Sequence, residues 1–218
     1  MKVLIVLASL ICCSLATDQI CLGPNGGGLR SLFHKILEEL PTEDVQEYYR
    51  DAIASNEKIR TTVEFFRSSE FKDQFFKLLI EKEVDDFLGY VCDFLHLDIY
   101  EILGIIADFL IEAKETRQHS YGLKKPTFGF DELVEDLINV FSPEEMVVII
   151  RRLGDDIDFW DAVRSCNSEK FKAIIEAIRH NHVYLNLKSA LDGAGFHIDR
   201  LIETLIKYID VIIAEWWW

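Results

Sequence analysis

The chain states one helical pattern twice, and that duplication limits what it can fold into. Leu40-Pro41-Thr42-Glu43-Asp44-Val45 is echoed by Phe141-Ser142-Pro143-Glu144-Glu145-Met146: an apolar residue, a proline, then acids opening a helix. Ser69-Glu70-Phe71-Lys72 is echoed by Glu169-Lys170-Phe171-Lys172, and Ile99-Tyr100-Glu101-Ile102-Leu103 by Ile198-Asp199-Arg200-Leu201-Ile202. The offset drifts from 101 through 100 to 99 residues, as single-residue insertions and deletions in loops produce. Self-similarity at a fixed period marks repeat architecture. This period is longer than that of the common solenoids, so each unit is a multi-helix half of one structure.

Apolar residues recur at helical spacing along almost the whole chain, and strand signals are nearly absent. In the first unit the stripes run through Leu29, Leu32, Phe33, Ile36 and Leu37, then Val45, Tyr48, Tyr49, Ala52 and Ile53, then Ile59, Val63 and Phe66. Phe71, Phe75, Leu78 and Leu79 follow, then Val84, Leu88, Val91, Cys92 and Leu95, and last Ile99 to Leu110. This predicts about six helices per unit, an all-α protein with repeats at 29–113 and 129–218 joined by a polar connector at 114–128. All four prolines fall in predicted loops or first turns, where a helical chain tolerates them. Thr42 and Ser142 fit N-cap positions, with acids following in the first turn.

The closing helix of each unit is unusually apolar. Acids at Asp98, Glu101, Asp108 and Glu112 form one narrow stripe, with aliphatics filling nearly all the rest; Asp199, Glu203, Lys207 and Asp210 do the same in the second unit. A surface helix needs an apolar arc of only about 100°. Each closing helix must therefore cover apolar material on two sides. Two readings remain open: a central helix in a dense core, or a helix packed on neighbours with one side and lining an apolar cavity with the other.

Residues 1–16 read as a signal peptide, with Lys2, an apolar run and the small-x-small site Ser14-Leu15-Ala16. The run is shorter than the roughly 20 apolar residues of a membrane span. A secreted, extracellular protein is expected. The net charge of −15, one unit lower once Lys2 is removed, disfavours nucleic acid and anionic surfaces as partners. Cys12 and Cys13 leave with the signal, so Cys21, Cys92 and Cys166 remain, an odd number. Cys92 and Cys166 sit on apolar helical faces, where buried thiols behave as small hydrophobes; a bridge between any two of the three is left unspecified. No Asn-x-Ser/Thr sequon occurs.

Sites for chemistry are scarce. Gly23-Pro24-Asn25-Gly26-Gly27-Gly28 follows no predicted strand, and Leu29-Arg30 stands where a phosphate loop needs Lys-Ser/Thr, so 17–28 reads as a flexible leader. His180-Asn181-His182 has the wrong spacing for a helical metal pair and reads as a solvated helix end. Asp155-Asp156-Ile157-Asp158 lacks the glycine and distal glutamate of a calcium loop and reads as a helix start. No catalytic or metal-binding residues and no cofactor are expected, and the protein is read as no enzyme.

The duplicated order resembles that of the insect allergen-related repeat family, which includes cockroach group 1 allergens and mosquito midgut microvillar proteins. In that order the proline-acid helix start precedes the aromatic segments 63–66 and 160–163, then the Phe-Lys helix and an Ile-rich closing helix. The pattern covers residues 29–213. The resemblance implies two six-helix repeats closed into one shell around a large apolar cavity that holds fatty acids or phospholipids. It implies a non-catalytic midgut role, in the lumen or peripherally on the microvillar membrane, with a monomer favoured. Nitrile-specifier detoxification proteins look like relatives with more repeats. The residues placed on the cavity by this reading are Val63, Phe66, Phe75, Leu79, Val91, Ile102, Ile106, Phe109, Val163, Ile175, Ile178, Leu201, Leu205 and Ile209.

Overall fold

The computed structural model describes residues 21–112 and 129–216, with side chains placed for 21–105 and 129–212. The signal segment, the connector at 114–128, Trp217 and Trp218 lie outside the described residues, as does the side chain of Trp216. Every regular element among the described residues is a helix, six on each side of the connector. The first six are α1 (Leu29–Glu39), α2 (Thr42–Ser55), α3 (Glu57–Arg67), α4 (Ser69–Leu79), α5 (Lys82–Leu95) and α6 (Ile99–Glu112). The second six are α7 (Phe130–Ile138), α8 (Pro143–Arg151), α9 (Ile157–Cys166), α10 (Glu169–His180), α11 (His182–Gly193) and α12 (Ile198–Trp216).

The repeat is visible in its caps. Ser68 and Ser168, 100 residues apart, each accept a hydrogen bond from a phenylalanine N–H, Phe71 and Phe171, at 3.1 Å in both cases. Asn56 caps α3 and its counterpart Asp156 caps α9. Each such cap satisfies an N–H that the helix cannot, worth about 1 kcal/mol. Ser142 completes a capping box with Glu145. Thr42 departs from expectation: Pro41 occupies the N-cap of α2, and the Thr42 hydroxyl donates back to Leu40 O at 3.2 Å.

The drift of the offset is also explained. The step from 101 to 100 lies where α2 runs on to Ser55 while α8 ends at Arg151 and gives way to turns. The step from 100 to 99 lies at the ends of α5 and α11. Leu97 N reaches back to Val91 O across five intervening residues, whereas Phe196 N reaches Leu191 O across four. In the second turn Gly195 holds φ 87°; in the first, His96 holds φ 52°. A side chain there costs about 1–2 kcal/mol. His96 O accepts from Arg30 N at 3.3 Å, which helps to fix the turn.

Packing couples the two halves. Helix α4 lies on α11 and α5 on α10; α1 lies on α8 and α2 on α7; each pair becomes the other when the repeats are exchanged. Such swapped pairs describe a pseudo-twofold arrangement. Asn181 Nδ2 donates to Glu81 Oε2 at 2.9 Å, two residues 100 apart bonding directly, which places them beside the pseudo-axis. The three buried clusters each draw on both repeats. Tyr49, Ala52, Ile59 and Val63 enclose Leu133; Met146, Val147, Ile149 and Ile212 pack on Leu32 and Ile36; Tyr90, Val91 and Leu95 pack on Cys166, Phe171 and Ile174.

Two charge pairs guard this pairing. Arg30 on α1 forms a two-pronged bond with Glu101 on α6, at 2.9 and 3.2 Å. At the equivalent places in the second repeat the signs are reversed: Asp131 on α7 faces Arg200 on α12 at 3.8 Å. Arg200 also holds Glu135 at 2.8 Å and Glu132 at 3.0 Å. The part-exposed Arg30–Glu101 pair and the exposed contacts of Arg200 with Glu132 and Glu135 add less than about 1 kcal/mol each. Their stronger effect is against the wrong partner: α1 on α12 would oppose Arg30 to Arg200, and α7 on α6 would oppose Asp131 to Glu101.

Residues 21–28, expected to be a flexible leader, form an ordered loop instead. Cys21 is bridged to Cys92 of α5, so Cys92 is no free thiol; Cys166 is the free, half-buried one. Pro24 and Asn25 form a turn closed by Gly26 N to Gly23 O at 2.8 Å. The loop packs on α9 so closely that a Cβ on Gly23 would collide with Asp158 and one on Gly27 with Asp156. The sequence left the pairing open because nothing local announces a partner 71 residues away.

Two outcomes are expected. The first repeat expressed alone should lack cooperative unfolding, because each buried cluster would lose its other half; a monomeric half with a sharp transition by circular dichroism would refute the interleaved packing. Replacing both Cys21 and Cys92 by serine should lower stability by about 4 kcal/mol, from the freed closure of a loop of this length, read as a lower midpoint in denaturant.

Candidate apolar ligand site

The site is built around the closing helix α12. At roughly 100° per residue, its described apolar side chains other than the exposed Val211 span an arc of roughly 160°, from Tyr208 through Leu201, Ile212, Leu205, Ile209 and Ile202 to Ile206. One flank is covered: Ile212 is buried on Met146, Val147 and Ile149, and Tyr208 packs there while its hydroxyl donates to Phe141 O at 2.7 Å. The other flank is open. Leu205 is 39%, Ile206 52% and Ile209 51% exposed. Fully burying a Leu or Ile side chain is worth about 1.5–3 kcal/mol, so each of the three leaves about 1 kcal/mol unused.

Other helices share this incompleteness. Helices α1, α4 and α10 carry clear apolar stripes, yet none of them contains a single buried residue. An ordinary dense core would have filled those faces. Of the residues placed on the cavity from sequence, Phe66, Phe75, Leu79, Ile102, Val163, Ile175, Ile178 and Leu201 are half-buried, and Leu205 and Ile209 are exposed. Val63 and Val91 differ from expectation. They are enclosed in the packed clusters, Val63 between α3 and Leu133 and Val91 beside Tyr90, so neither presents a free surface. The side chains of Ile106 and Phe109 lie outside the described residues.

Phe66 is the hub of an aromatic group that the sequence reading did not assemble. Its ring lies 5.1 Å from Phe71, 5.5 Å from Phe130 and 5.6 Å from Phe196, and Phe130 and Phe196 meet edge-on at 5.5 Å. Rings from α3 and α4 are thus joined to the start of α7 and the turn before α12. Phe130 and Phe196 follow Gly129 and Gly195 in sequence, but only the pseudo-twofold packing brings them to Phe66. Ile206 was also missed, although it stands one turn before Ile209 on the same flank.

Polar groups are arranged to hold structure. Asp158, only 3% exposed, accepts from Asn25 N at 2.7 Å, Asn25 Nδ2 at 2.9 Å and Gly27 N at 3.0 Å. Burial pushes its carboxyl up, but these donors outweigh burial and hold it below the ordinary carboxylate range. Burial raises the Cys166 thiol, which keeps it protonated and a poor nucleophile at neutral pH. Among the described residues no group of three or more His, Cys, Asp or Glu could hold a metal ion, and no helix is long and apolar enough to cross a membrane. A separate cleft of about 390 Å³ opens between α4 and α11, lined by Gln74, Lys77, His182, Val183 and Asn186.

The depressed Asp158 carboxyl gives stability that is present above the unfolded value of about 3.9 and is lost as pH falls through its folded value. Asp158→Asn should therefore destabilise at neutral pH, and its deficit relative to the parent should shrink below about pH 4. Denaturation midpoints taken from pH 7 down to pH 3 check this; a deficit independent of pH would contradict the clamp.

No curated protein shows significant similarity to the chain. The family model described as "Insect allergen related repeat, nitrile-specifier detoxification" matches residues 28–202, from the glycine before α1 into the first turn of α12. That span contains the first copy of the six-helix pattern and the second as far as the start of α12, and with it the chain belongs to the insect allergen-related repeat family.

Proposed function

We propose that the protein is a secreted, non-enzymatic carrier of lipid-like ligands, fatty acids or phospholipid tails, acting in the gut lumen or at its microvillar surface. The observation that carries this reading is the open flank of α12, Leu205, Ile206 and Ile209, on a helix whose Ile212 and Tyr208 pack against α8. The half-buried stripes of α1, α4 and α10, none with a fully buried residue, extend it. An acyl chain laid on such surfaces gains about 0.8 kcal/mol per methylene, roughly fourfold in affinity for each. Head-group contacts are not required, so selectivity among chains of one length is low. The disulfide fits an oxidising, extracellular compartment.

The test is thermal. A ligand that binds only the folded state at 100 times its Kd stabilises by about 2.7 kcal/mol, which for a domain of this size raises Tm by about 5–10 °C. Delipidated protein should melt lower than protein reloaded with a fatty acid, and longer chains should restore more until the space is filled. Ile206→Asp, at an exposed position, should keep the fold and blunt the shift. Equal melting of delipidated and reloaded protein across chain lengths would overturn the carrier reading.

The family description favours a second reading, a detoxification factor of the nitrile-specifier kind. It predicts altered products when the protein is added to a plant-toxin hydrolase and its substrate. Unchanged products would dismiss it without touching the lipid reading.

A further inference from the structure

The Asp158 clamp holds a dipeptide with chemistry of its own. Asparagine followed by glycine is the pair in which the next backbone nitrogen most readily attacks the side-chain amide, because glycine has no Cβ to obstruct it. In this loop both reacting groups are engaged elsewhere. Gly26 N, the nucleophile, donates to Gly23 O at 2.8 Å, and the Asn25 amide, the electrophile, is fixed by its Nδ2 on Asp158 at 2.9 Å. Gly26 itself, at φ 84°, has open space around its Cα, and Asn25 is exposed. Nothing but these hydrogen bonds stands between the two groups and solvent.

We propose that Asn25 is a latent self-modification site, held shut by Asp158, that converts opening of the 23–28 loop into an irreversible chemical change. When the loop opens, Gly26 N attacks Asn25 Cγ. The N–Cγ bond forms, the Cγ–Nδ2 bond breaks, and ammonia leaves carrying the nitrogen's proton. Water then adds to one carbonyl of the resulting succinimide, the C–N bond breaks and the nitrogen regains its proton. The product is aspartate or isoaspartate at position 25. No oxidant or cofactor takes part.

The product cannot restore the clamp. Where Asn25 Nδ2 donated to Asp158, a second carboxylate now stands against a buried one. It removes a donor and adds like-charge repulsion. The loop that covers the first turn of α9 and the start of α1 is left held by the Cys21–Cys92 bridge and by the weakened backbone donors to Asp158. The conversion therefore records, one molecule at a time, that the loop has opened. The rate follows the population of the open form as long as opening and closing are fast.

The experiment is peptide mapping by mass spectrometry of the full-length, disulfide-bonded protein incubated at mildly alkaline pH. Asp158→Ala should convert at Asn25 faster than the parent by about tenfold or more, since it removes three charge-assisted bonds that keep the loop closed. In denaturant the two proteins should convert at the same rate, because the clamp is then gone from both. Equal rates under native conditions would overturn the proposal, as would a native difference that persists undiminished in denaturant. Asn25→Asp supplies a second reading that does not depend on the Asp158 variant folding. Its amide hydrogen exchange should rise at 23–28 and stay unchanged in α2 and α3; parental exchange at 23–28 would refute the claim that the product unlocks the loop.

Discussion

Neither repeat of this protein can bury its own apolar faces, and most of the architecture follows from that constraint. Leu133 of α7 is buried in one cluster with Tyr49, Ala52, Ile59 and Val63 of the first repeat, and Tyr90 and Val91 of α5 pack with Phe171 and Ile174 of the second. Because apolar burial is the main favourable term in folding, the halves are obliged to form together. The near-symmetric contacts, with Glu81 and Asn181 bonded across the pseudo-axis, are the geometric outcome of two like pieces covering each other.

Two like pieces also create a hazard, since each helix has a near-copy that could take its place. The reversed signs of Arg30–Glu101 and Asp131–Arg200 meet it. Their net contribution to stability is small, as for any half-exposed pair. Against a misplaced α1 or α7 they oppose like charges. The asymmetric leader adds a second distinction: only α1 is preceded by a loop tied to α5 by a disulfide and to α9 by Asp158.

The faces that the packing leaves uncovered are where function is sought. A helix with an apolar arc of roughly 160° and only one flank covered is an expensive way to make a core. Phe66 and the rings around it are packed against one another, whereas Leu205, Ile206 and Ile209 stay exposed.

The sequence by itself determined the helical class, the duplication, the family and many caps. Asp156 and Ser142 are legible because a cap acts within three residues, and the width of the closing helix's arc is legible because helical periodicity fixes it. Tertiary structure alone decided what lies against each face. It turned the glycine-rich leader into an ordered loop, since Asp158 and Cys92 stand 131 and 71 residues from their partners in it. It put Val63 and Val91 into the packed core and left Ile206 open, though all three look alike along the chain. Periodicity says which side chains share a face; which faces find a neighbour depends on contacts between residues far apart in sequence, and those form only when the two halves close on each other.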